Sequence, residues 1–276
     1  YTGEGFTYAT HLIRAKGLPI KGFGGTASGG EVLVDGIDKI VGLLNSRSGN
    51  KLRPIDALDI MNIIGSVVVA GNVRRSALLA LGDADDLDYL RAKRWDLFDI
   101  PNWRAMSNNS VVCSNTDELP EEFWEGYKGN GEPYGLINIE ASRRMGRTGE
   151  FQYPDPDVEI YNPCAEQSLA NHETCCLAQV FLPNIETYDE LTEVLYYLYR
   201  INKHSLALPD VSSKETEEIV NENMRMGIGV TGYMQASEEQ KQWLTEAYKY
   251  LRVLDKEYSK EHGFNPSIKL TTTKPS

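Results

Sequence analysis

Short extended segments alternate with strongly periodic helical segments along this sequence, and no other feature constrains its fold as much. The extended segments lie at 76–81, 110–113, 135–139 and 268–273. The helical patterns lie at 37–44, at 85–93 and after Pro54, Thr187 and Ser237. Strands that alternate with helices in this way predict an α/β architecture, and the pattern alone leaves an open sheet and a barrel as alternatives.

Two of these helices carry clear terminal signals. The helix that begins at Ser237 has Gln240 at the position that completes a capping box, and Gly263 is suited to its end. The helix that begins at Thr187 has the same kind of start, and Pro209 closes it. We therefore expect both helices to be regular and well bounded.

The helix that begins at Pro54 has a different composition, because apolar residues surround it on nearly every side. Its only polar stripe consists of Asp56, Asp59 and Asn62. A helix that is apolar all round is typical of a protein interior, so we predict that this helix is buried.

Charge and composition exclude several classes of protein. The chain has 28 Lys and Arg against 40 Asp and Glu, a formal charge of −12, which is the opposite of what a binder of nucleic acid needs. No secretory signal and no apolar stretch long enough to cross a membrane is visible. Four cysteines in 276 residues are too few for a disulfide scaffold. We expect a cytoplasmic protein that binds neither nucleic acid nor membranes.

The segment 161–176 is the most informative part of the sequence for function. It has neither helical nor strand periodicity, and it contains Cys164, Cys175 and Cys176 among polar residues. Cysteine normally packs in a core, so three thiols in a polar loop, with Glu166 two residues from the first, indicate chemistry.

Four interpretations of these cysteines remain open from the residues alone. In the first, they are incidental loop residues. In the second, they join His172 in a zinc site, although the ligand spacing is irregular. In the third, Cys164 is an ordinary nucleophile with His172 as its base. The fourth interpretation is redox or radical chemistry, in which one thiol reacts and another supplies electrons.

The run Asn162-Pro163-Cys164-Ala165-Glu166 resembles the Asn-Pro-Cys-Gly-Glu active-site motif of ribonucleotide reductase large subunits. Cys175 lies eleven positions after Cys164, which matches the compact spacing of the adenosylcobalamin-dependent class II enzymes. Four further segments resemble class II enzymes in family order, at 23–29, 69–77, 106–111 and 225–232. The resemblance covers essentially the whole chain.

The resemblance implies a fold and a role for each matching residue. The fold would be part of a ten-stranded α/β barrel, with 161–176 as the central finger loop that carries the radical cysteine. Cys164 would be the thiyl site, with Glu166 as general base on the 3′-hydroxyl and Asn162 as hydrogen-bond partner of the sugar hydroxyls. Cys175 would be one half of a redox-active dithiol, and Cys176 a structural neighbour. The cofactor would be adenosylcobalamin, and no residue is assigned to a protein-bound metal.

A separate argument from the backbone supports one site for three of these residues. In an extended loop, alternate side chains point to the same side. If the loop is extended, Asn162, Cys164 and Glu166 face one ribose.

The sequence departs from the family pattern at Ala165, where the family usually has Gly, and this matters only if the loop requires a positive φ. The last five residues resemble the start of the family's Lys-Pro-Ser-Gly-Thr turn, so Pro275 and Ser276 are expected to bind substrate phosphate. The other redox cysteine of the family would lie upstream of Tyr1, since Cys113 is in a different segment. We therefore expect residues 1–276 to be a partial catalytic barrel domain, a fragment incomplete at both ends.

The implied activity is the reduction of ribonucleoside di- or triphosphates to 2′-deoxyribonucleotides for DNA synthesis. The implied partners are that substrate, allosteric nucleotides and a thioredoxin-like or glutaredoxin-like reductant. Two alternatives stand beside this hypothesis. In the first, the chain is an inactive part of such an enzyme, and in the second it is a Cys/His metal-binding module.

Overall fold

The computed structural model describes residues 5–22, 24–71, 76–130, 134–145, 154–208 and 213–273. The chain divides into two compact units, Tyr1–Asn138 and Ile139–Ser276. Each unit is described by itself below.

In its described residues, the first unit contains a three-stranded parallel sheet and four α-helices. Its elements in chain order are α1 Glu31–Ser46, α2 Pro54–Val69, β1 Leu78–Asp83, α3 Leu87–Leu90, β2 Ser107–Val112, α4 Glu121–Asn130 and β3 Tyr134–Ile137. Strand β2 lies in the middle, with Leu78 of β1 opposite Ser107 and Tyr134 of β3 opposite Asn109. The predicted strands at 76–81, 110–113 and 135–139 therefore exist, with shifted ends.

The core of the first unit lies between the sheet and helices α2, α3 and α4. Val111 in the central strand and Phe123 in α4 are fully buried in it. Tyr89 in α3 donates its hydroxyl to both Ala80 O (2.9 Å) and Ser110 O (3.0 Å). A Cβ at Gly82 would come within 2.3 Å of the Tyr89 ring, so this strand position has to be glycine.

Helix α2 begins at Pro54 as predicted, but it is buried on one side and not all round. Met61 is 51% exposed, and Ile64 and Val68 are also exposed. The buried side contains the apolar residues Ile55, Leu58 and Ile63 together with the polar stripe of Asp56, Asp59 and Asn62. The polar side chains can turn inward because each one has a hydrogen-bonding partner there.

These inward partners belong to neighbouring parts of the first unit. Asp59 accepts two hydrogen bonds from Arg104, each 2.7 Å long, and one from Trp103 Nε1 at 2.9 Å. Asn62 donates to Ser107 Oγ at 3.1 Å. The apolar content of α2 therefore did not reveal which of its faces is buried.

The described part of the second unit contains a parallel pair of strands, a short hairpin and four α-helices. Its elements in chain order are α5 Ile139–Met145, β4 Ile160–Tyr161, β5 Ser168–Leu169, β6 Leu177–Phe181, α6 Tyr188–Leu206, α7 Lys214–Asn223, β7 Gly227–Thr231 and α8 Glu238–His262. Strands β4 and β5 are antiparallel, with Tyr161 opposite Ser168. Strands β6 and β7 are parallel, with Leu177 opposite Gly227.

Helices α6 and α8 pack on one face of the β6–β7 pair. Val180 and Ile228 point to that face and are buried in the core, together with Leu191 and Leu251 from the helices. The opposite face carries Gln179 and its neighbours instead of core residues. A sheet covered by helices on one face only is the local arrangement of an α/β barrel wall.

The terminal signals of the two long helices are confirmed. Ser237 and Gln240 form the reciprocal capping box at the start of α8, and Gly263 ends it in the left-handed conformation at φ 72°. Thr187 accepts a hydrogen bond from the main-chain N–H of Glu190 at the start of α6. Pro209 lies outside the described residues.

The predicted α/β architecture is confirmed, while one predicted strand differs from the structure. The segment 268–273 is not a regular strand, since Thr271 makes a single bridge to Ile228. The described residues form seven strands in three separate sheets and do not themselves close a ring. None of the described helices is both long enough and apolar enough to cross a bilayer.

Candidate active site

Cys164 lies at the tip of the β4–β5 hairpin, in the connection 162–167. The main-chain N–H of Asn162 donates to Gln167 O at 3.0 Å, and the N–H of Ala165 donates to Asn162 O at 2.8 Å. These bonds make the connection a tight turn, and Cys164 is exposed on it. The expectation of an extended loop with alternating side chains is therefore wrong.

Ala165 adopts a positive φ of 60° in this turn. The left-handed conformation brings Cβ close to the following carbonyl oxygen and costs roughly 1–2 kcal/mol for a residue other than glycine. The replacement of the usual Gly by Ala is therefore not neutral for the backbone. The hairpin holds this conformation because the bonds around it fix the chain on both sides.

The neighbouring thiols of Cys175 and Cys176 point to opposite environments. Cys176 packs against the hydrophobic core of the second unit, and its Sγ is 3.9 Å from Asn202 O in α6. Cys175 is exposed and contacts the hairpin instead. The two thiols therefore face different ways, and only Cys175 is directed towards the hairpin.

Asn162 joins the hairpin to Cys175. Its Oδ1 accepts the main-chain N–H of Gln167 at 3.0 Å, and its Nδ2 donates to Cys175 Sγ at 3.5 Å. The residue is 6% exposed, so both contacts are made in a shielded place. One buried amide thus connects the segment that carries Cys164 to the segment that carries Cys175.

The carboxylate of Glu166 lies beside the same thiol. Although Cys175 is exposed as a residue, burial of its thiol among these neighbours raises the pKa of Cys175 to about 11, and the charge of Glu166 adds to the increase. The hydrogen bond from Asn162 acts in the opposite direction. Cys175 is therefore a protonated thiol at neutral pH.

Both carboxylate oxygens of Glu166 are shielded from solvent, and no described residue donates a hydrogen bond to them. Its main-chain oxygen, in contrast, accepts a bond from Thr272 Oγ1 at 2.7 Å. A shielded carboxylate without a donor is destabilising, and such groups are concentrated at functional sites. Sequence and geometry thus select the same acidic residue.

Two glycines of β7 make room for side chains on the face of the β6–β7 pair that is opposite helices α6 and α8. A Cβ at Gly227 would lie 2.7 Å from Gln167 Oε1, and a Cβ at Gly229 would lie 2.8 Å from Gln179 Nε2. Gln179 in turn accepts a hydrogen bond from Thr231 Oγ1 at 3.1 Å. The Gly-x-Gly pattern of β7 therefore serves close packing beside the hairpin.

A buried cluster of four charged residues supports both parts of the site, and sequence reasoning missed it. Arg225 binds Asp155 through two hydrogen bonds and Glu173 through a third, and Lys269 also contacts Asp155. Burial opposes ionisation of Asp155, yet the bonds from Arg225 and Lys269 hold its pKa below the usual range. The partners lie 52 and 70 positions from Arg225, so no local pattern reveals them.

The remaining predicted residues are less informative. Pro275 and Ser276, the expected phosphate ligands, lie outside the described residues. Cys113 follows strand β2 in the first unit, where burial, and then the charge of Glu118, raises the pKa of its thiol. Within the described ranges, no group of three or more His, Cys, Asp or Glu side chains is placed to hold a metal ion. Because Cys176 faces the core, the zinc site suggested for the loop is not formed there.

A family model described as the ribonucleotide reductase barrel domain matches residues 101–247. This range is more than half of the chain and includes the hairpin, Cys175 and the strands behind them. The chain belongs to the ribonucleotide reductase barrel-domain family. The resemblance indicated by the sequence motifs is confirmed.

Relatives in this family carry the name adenosylcobalamin-dependent ribonucleoside-triphosphate reductase. The protein of Lactobacillus acidophilus is 38% identical over 297 residues, and that of Lactobacillus leichmannii is 37% identical over the same length. Each match covers 96% of this chain and 40% of the relative. The chain thus spans about 40% of the length of these ribonucleotide reductases.

A solved structure gives the same result for the fold. The crystal structure of a B-12 dependent (class II) ribonucleotide reductase is similar with a TM-score of 0.79 and 32% sequence identity. The match covers 94% of this chain and 40% of that one. Both units of this ribonucleotide reductase segment therefore contribute to the likeness.

Proposed function

We propose that this chain is part of the catalytic barrel of an adenosylcobalamin-dependent ribonucleotide reductase that makes 2′-deoxyribonucleotides by a thiyl-radical mechanism. The observation that carries the proposal is the meeting of Cys164, Glu166 and Cys175 around the buried amide of Asn162. The names of the relatives favour a ribonucleoside triphosphate as substrate over a diphosphate.

Cys164 is the proposed thiyl site. An S–H bond is comparable in strength to an activated C–H bond, so a sulfur radical can take the 3′-hydrogen of a ribose and later return it. When bound, adenosylcobalamin supplies the radical chemistry that oxidises this thiol. The residue that fits such a cofactor is Cys164 itself, because its exposed side chain can be approached from outside the hairpin.

Glu166 is the proposed general base. Once the 3′-hydrogen has moved to Cys164, the 3′-hydroxyl becomes acidic, and a carboxylate within reach can accept its proton. The ribose hydroxyl would take the place of the neighbours that now shield Glu166 and would provide the donor it lacks. Asn162 would orient the sugar hydroxyls from the same turn.

Cys175 is the proposed member of this chain in the reducing dithiol. The dithiol supplies two protons and two electrons, so that the 2′-hydroxyl leaves as water, a C2′–H bond forms, and the two thiols become a disulfide. A thiol with a pKa of about 11 keeps its hydrogen at neutral pH, as this role requires. The second thiol would come from a segment upstream of Tyr1.

Several wider features belong to the same proposal. Residues 1–276 would form part of one catalytic barrel domain, and Pro275 with Ser276 would begin its phosphate-binding turn. A thioredoxin-like or glutaredoxin-like protein would reduce the disulfide again, and allosteric nucleotides would regulate the enzyme. The protein would act in the cytoplasm.

The radical assignment is tested by substitution in the full-length protein that contains this chain. We expect Cys164→Ala to abolish deoxynucleotide formation from a ribonucleoside triphosphate in the presence of adenosylcobalamin and a dithiol reductant. Cys113→Ser is the matched control, because it also removes a thiol but lies outside the hairpin, and it should keep most of the activity. Appreciable turnover by Cys164→Ala contradicts the assignment.

A further inference from the structure

A buried charged cluster connects the hairpin that carries Cys164 to the turn that precedes Cys175. It consists of Arg225, Asp155, Glu173 and Lys269. We propose that Arg225 is a positioning residue that fixes the Cys175 thiol against Asn162 and Glu166. The inference deepens the proposed function, because that function requires the two thiols to act on one sugar.

On one side, Arg225 reaches the base of the hairpin that carries Cys164. Its Nη1 and Nη2 donate to the two oxygens of Asp155 at 2.6 Å and 3.0 Å. Asp155 also contacts Lys269 Nζ at 2.9 Å, and the same ammonium donates to Ser168 Oγ in β5. Planar, two-point recognition of a carboxylate fixes orientation as well as distance. Arg225 is thus fastened by a rigid fork to Asp155, and Lys269 connects Asp155 to strand β5 of the hairpin.

On the other side, Arg225 reaches the segment that leads to Cys175. Its Nε donates to Glu173 Oε2 at 2.8 Å, and this oxygen also accepts the main-chain N–H of Ala170 at 2.7 Å. Glu173 therefore closes the turn at 170–173 and lies two residues before Cys175. His172 within this turn has a positive φ of 62°, so the turn is held in a conformation that few residues prefer.

The main chain after Arg225 also contacts the segment that contains Cys175, through the β6–β7 strand pair. Arg225 lies two residues before β7, and the N–H of Gly227 donates to Cys176 O at 2.8 Å. Any displacement of Arg225 therefore moves the strand that is paired with the residue next to Cys175. One side chain and its own backbone hold the thiol segment from two directions.

Stability alone does not explain this cluster. Arg225 is 1% exposed and Asp155 is 1% exposed, and removing such charges from water costs several kcal/mol for each ion. Well-packed apolar residues in such places are often as stabilising or more so, whereas fixed ion pairs specify a geometry. The geometry specified here is the one between the hairpin and the Cys175 segment.

The variant Arg225→Lys keeps the positive charge but loses the fork and the third bond to Glu173. We expect Cys175 to leave its shielded position and move away from Glu166, so that its pKa falls from about 11 towards the ordinary 9.0 although the bond from Asn162 is also lost. The fraction of Cys175 present as thiolate near pH 8 then rises about 100-fold. A thiolate of lower pKa is a weaker nucleophile, which offsets part of that gain. The net expectation is a roughly tenfold faster alkylation of Cys175 near pH 8.

The experiment measures alkylation of each cysteine by iodoacetamide as a function of pH, resolved by mass spectrometry of peptides from the folded protein. Arg225→Lys should move the profile of Cys175 to lower pH and leave that of Cys113 unchanged. Glu173→Ala is the second variant, since it removes the same contact from the other end, and it carries the test if Arg225→Lys does not fold.

The matched control is Lys203→Met in the same unit. Lys203 is a fully buried cation that binds Asp255 at 2.9 Å, between α6 and α8. Its loss should lower stability without moving the Cys175 profile. The proposal is overturned if the folded variants at Arg225 and Glu173 keep the wild-type alkylation profile of Cys175, or if Lys203→Met shifts that profile equally.

Alkylation requires no turnover, so it separates this inference from the proposed function. In the full-length protein, Arg225→Lys should lower kcat for deoxynucleotide formation with little change in KM, since substrate binding is retained. If Arg225→Lys shifts the alkylation profile of Cys175 but the wild-type protein forms no deoxynucleotide, the positioning role of Arg225 is supported and the proposed function is contradicted.

Discussion

At the scale of single residues, the site depends on a few side chains whose surroundings decide their chemistry. Cys175 and Cys176 are adjacent in sequence, yet one contacts the hairpin and the other packs on the core. Asn162 was predicted to face a sugar, and the structure shows its amide bound to Gln167 and to Cys175. The motif named these residues, and only the fold could reveal which atoms each one contacts.

Ala165 provides a prediction at this scale. We expect Ala165→Gly to stabilise the chain by about 1 kcal/mol. Glycine relieves the strain of the left-handed conformation, and this gain is larger than the loss caused by the greater conformational entropy of the unfolded chain. Urea unfolding followed by circular dichroism measures the change.

Ala170 is the matched control for that substitution, because it lies in the same segment without a positive φ. Ala170→Gly should destabilise the chain by about 0.5–1 kcal/mol. If both glycine variants are destabilising to the same extent, the conformation assigned to Ala165 is wrong.

At the scale of elements, terminal signals were more informative than apolar content. The capping box at Ser237 and the glycine at 263 marked helix α8 correctly, because those interactions are local. The hairpin β4–β5 was not predicted, since its strands have two residues each and lack any detectable periodicity. Strand β7 was missed because Gly227 and Gly229 reduce its apolar signal, although they are what its packing requires.

Helix α2 gives the prediction at this scale. We expect Asp59→Ala to destabilise the first unit by about 3 kcal/mol, because it leaves Arg104 without its carboxylate in a largely buried place. Met61→Gln on the exposed apolar stripe should change stability by no more than about 0.5 kcal/mol. Denaturant midpoints of the two variants compare them directly, and the reverse order would mean that the helix is turned the other way.

At the scale of the whole molecule, the chain is a segment of the ribonucleotide reductase barrel-domain family that spans about 40% of the relatives' length. The motifs and their order were sufficient to identify this family, because several short segments resemble those of the family and follow one another in the same order. The charged cluster around Arg225 was beyond sequence reasoning, since its members come from four distant parts of the second unit and become neighbours only on folding.

The measurement that tests the account most directly is the number of deoxynucleotides formed per protein by full-length Cys175→Ser, with a thioredoxin-type reductant supplied throughout. Cys176 is intact in this variant but faces the core, so it should not replace the missing thiol. The account predicts at most one deoxynucleotide per protein, whereas wild-type protein continues to turn over. Sustained thioredoxin-driven turnover by Cys175→Ser would contradict the role assigned to this cysteine and, with it, the arrangement of the site.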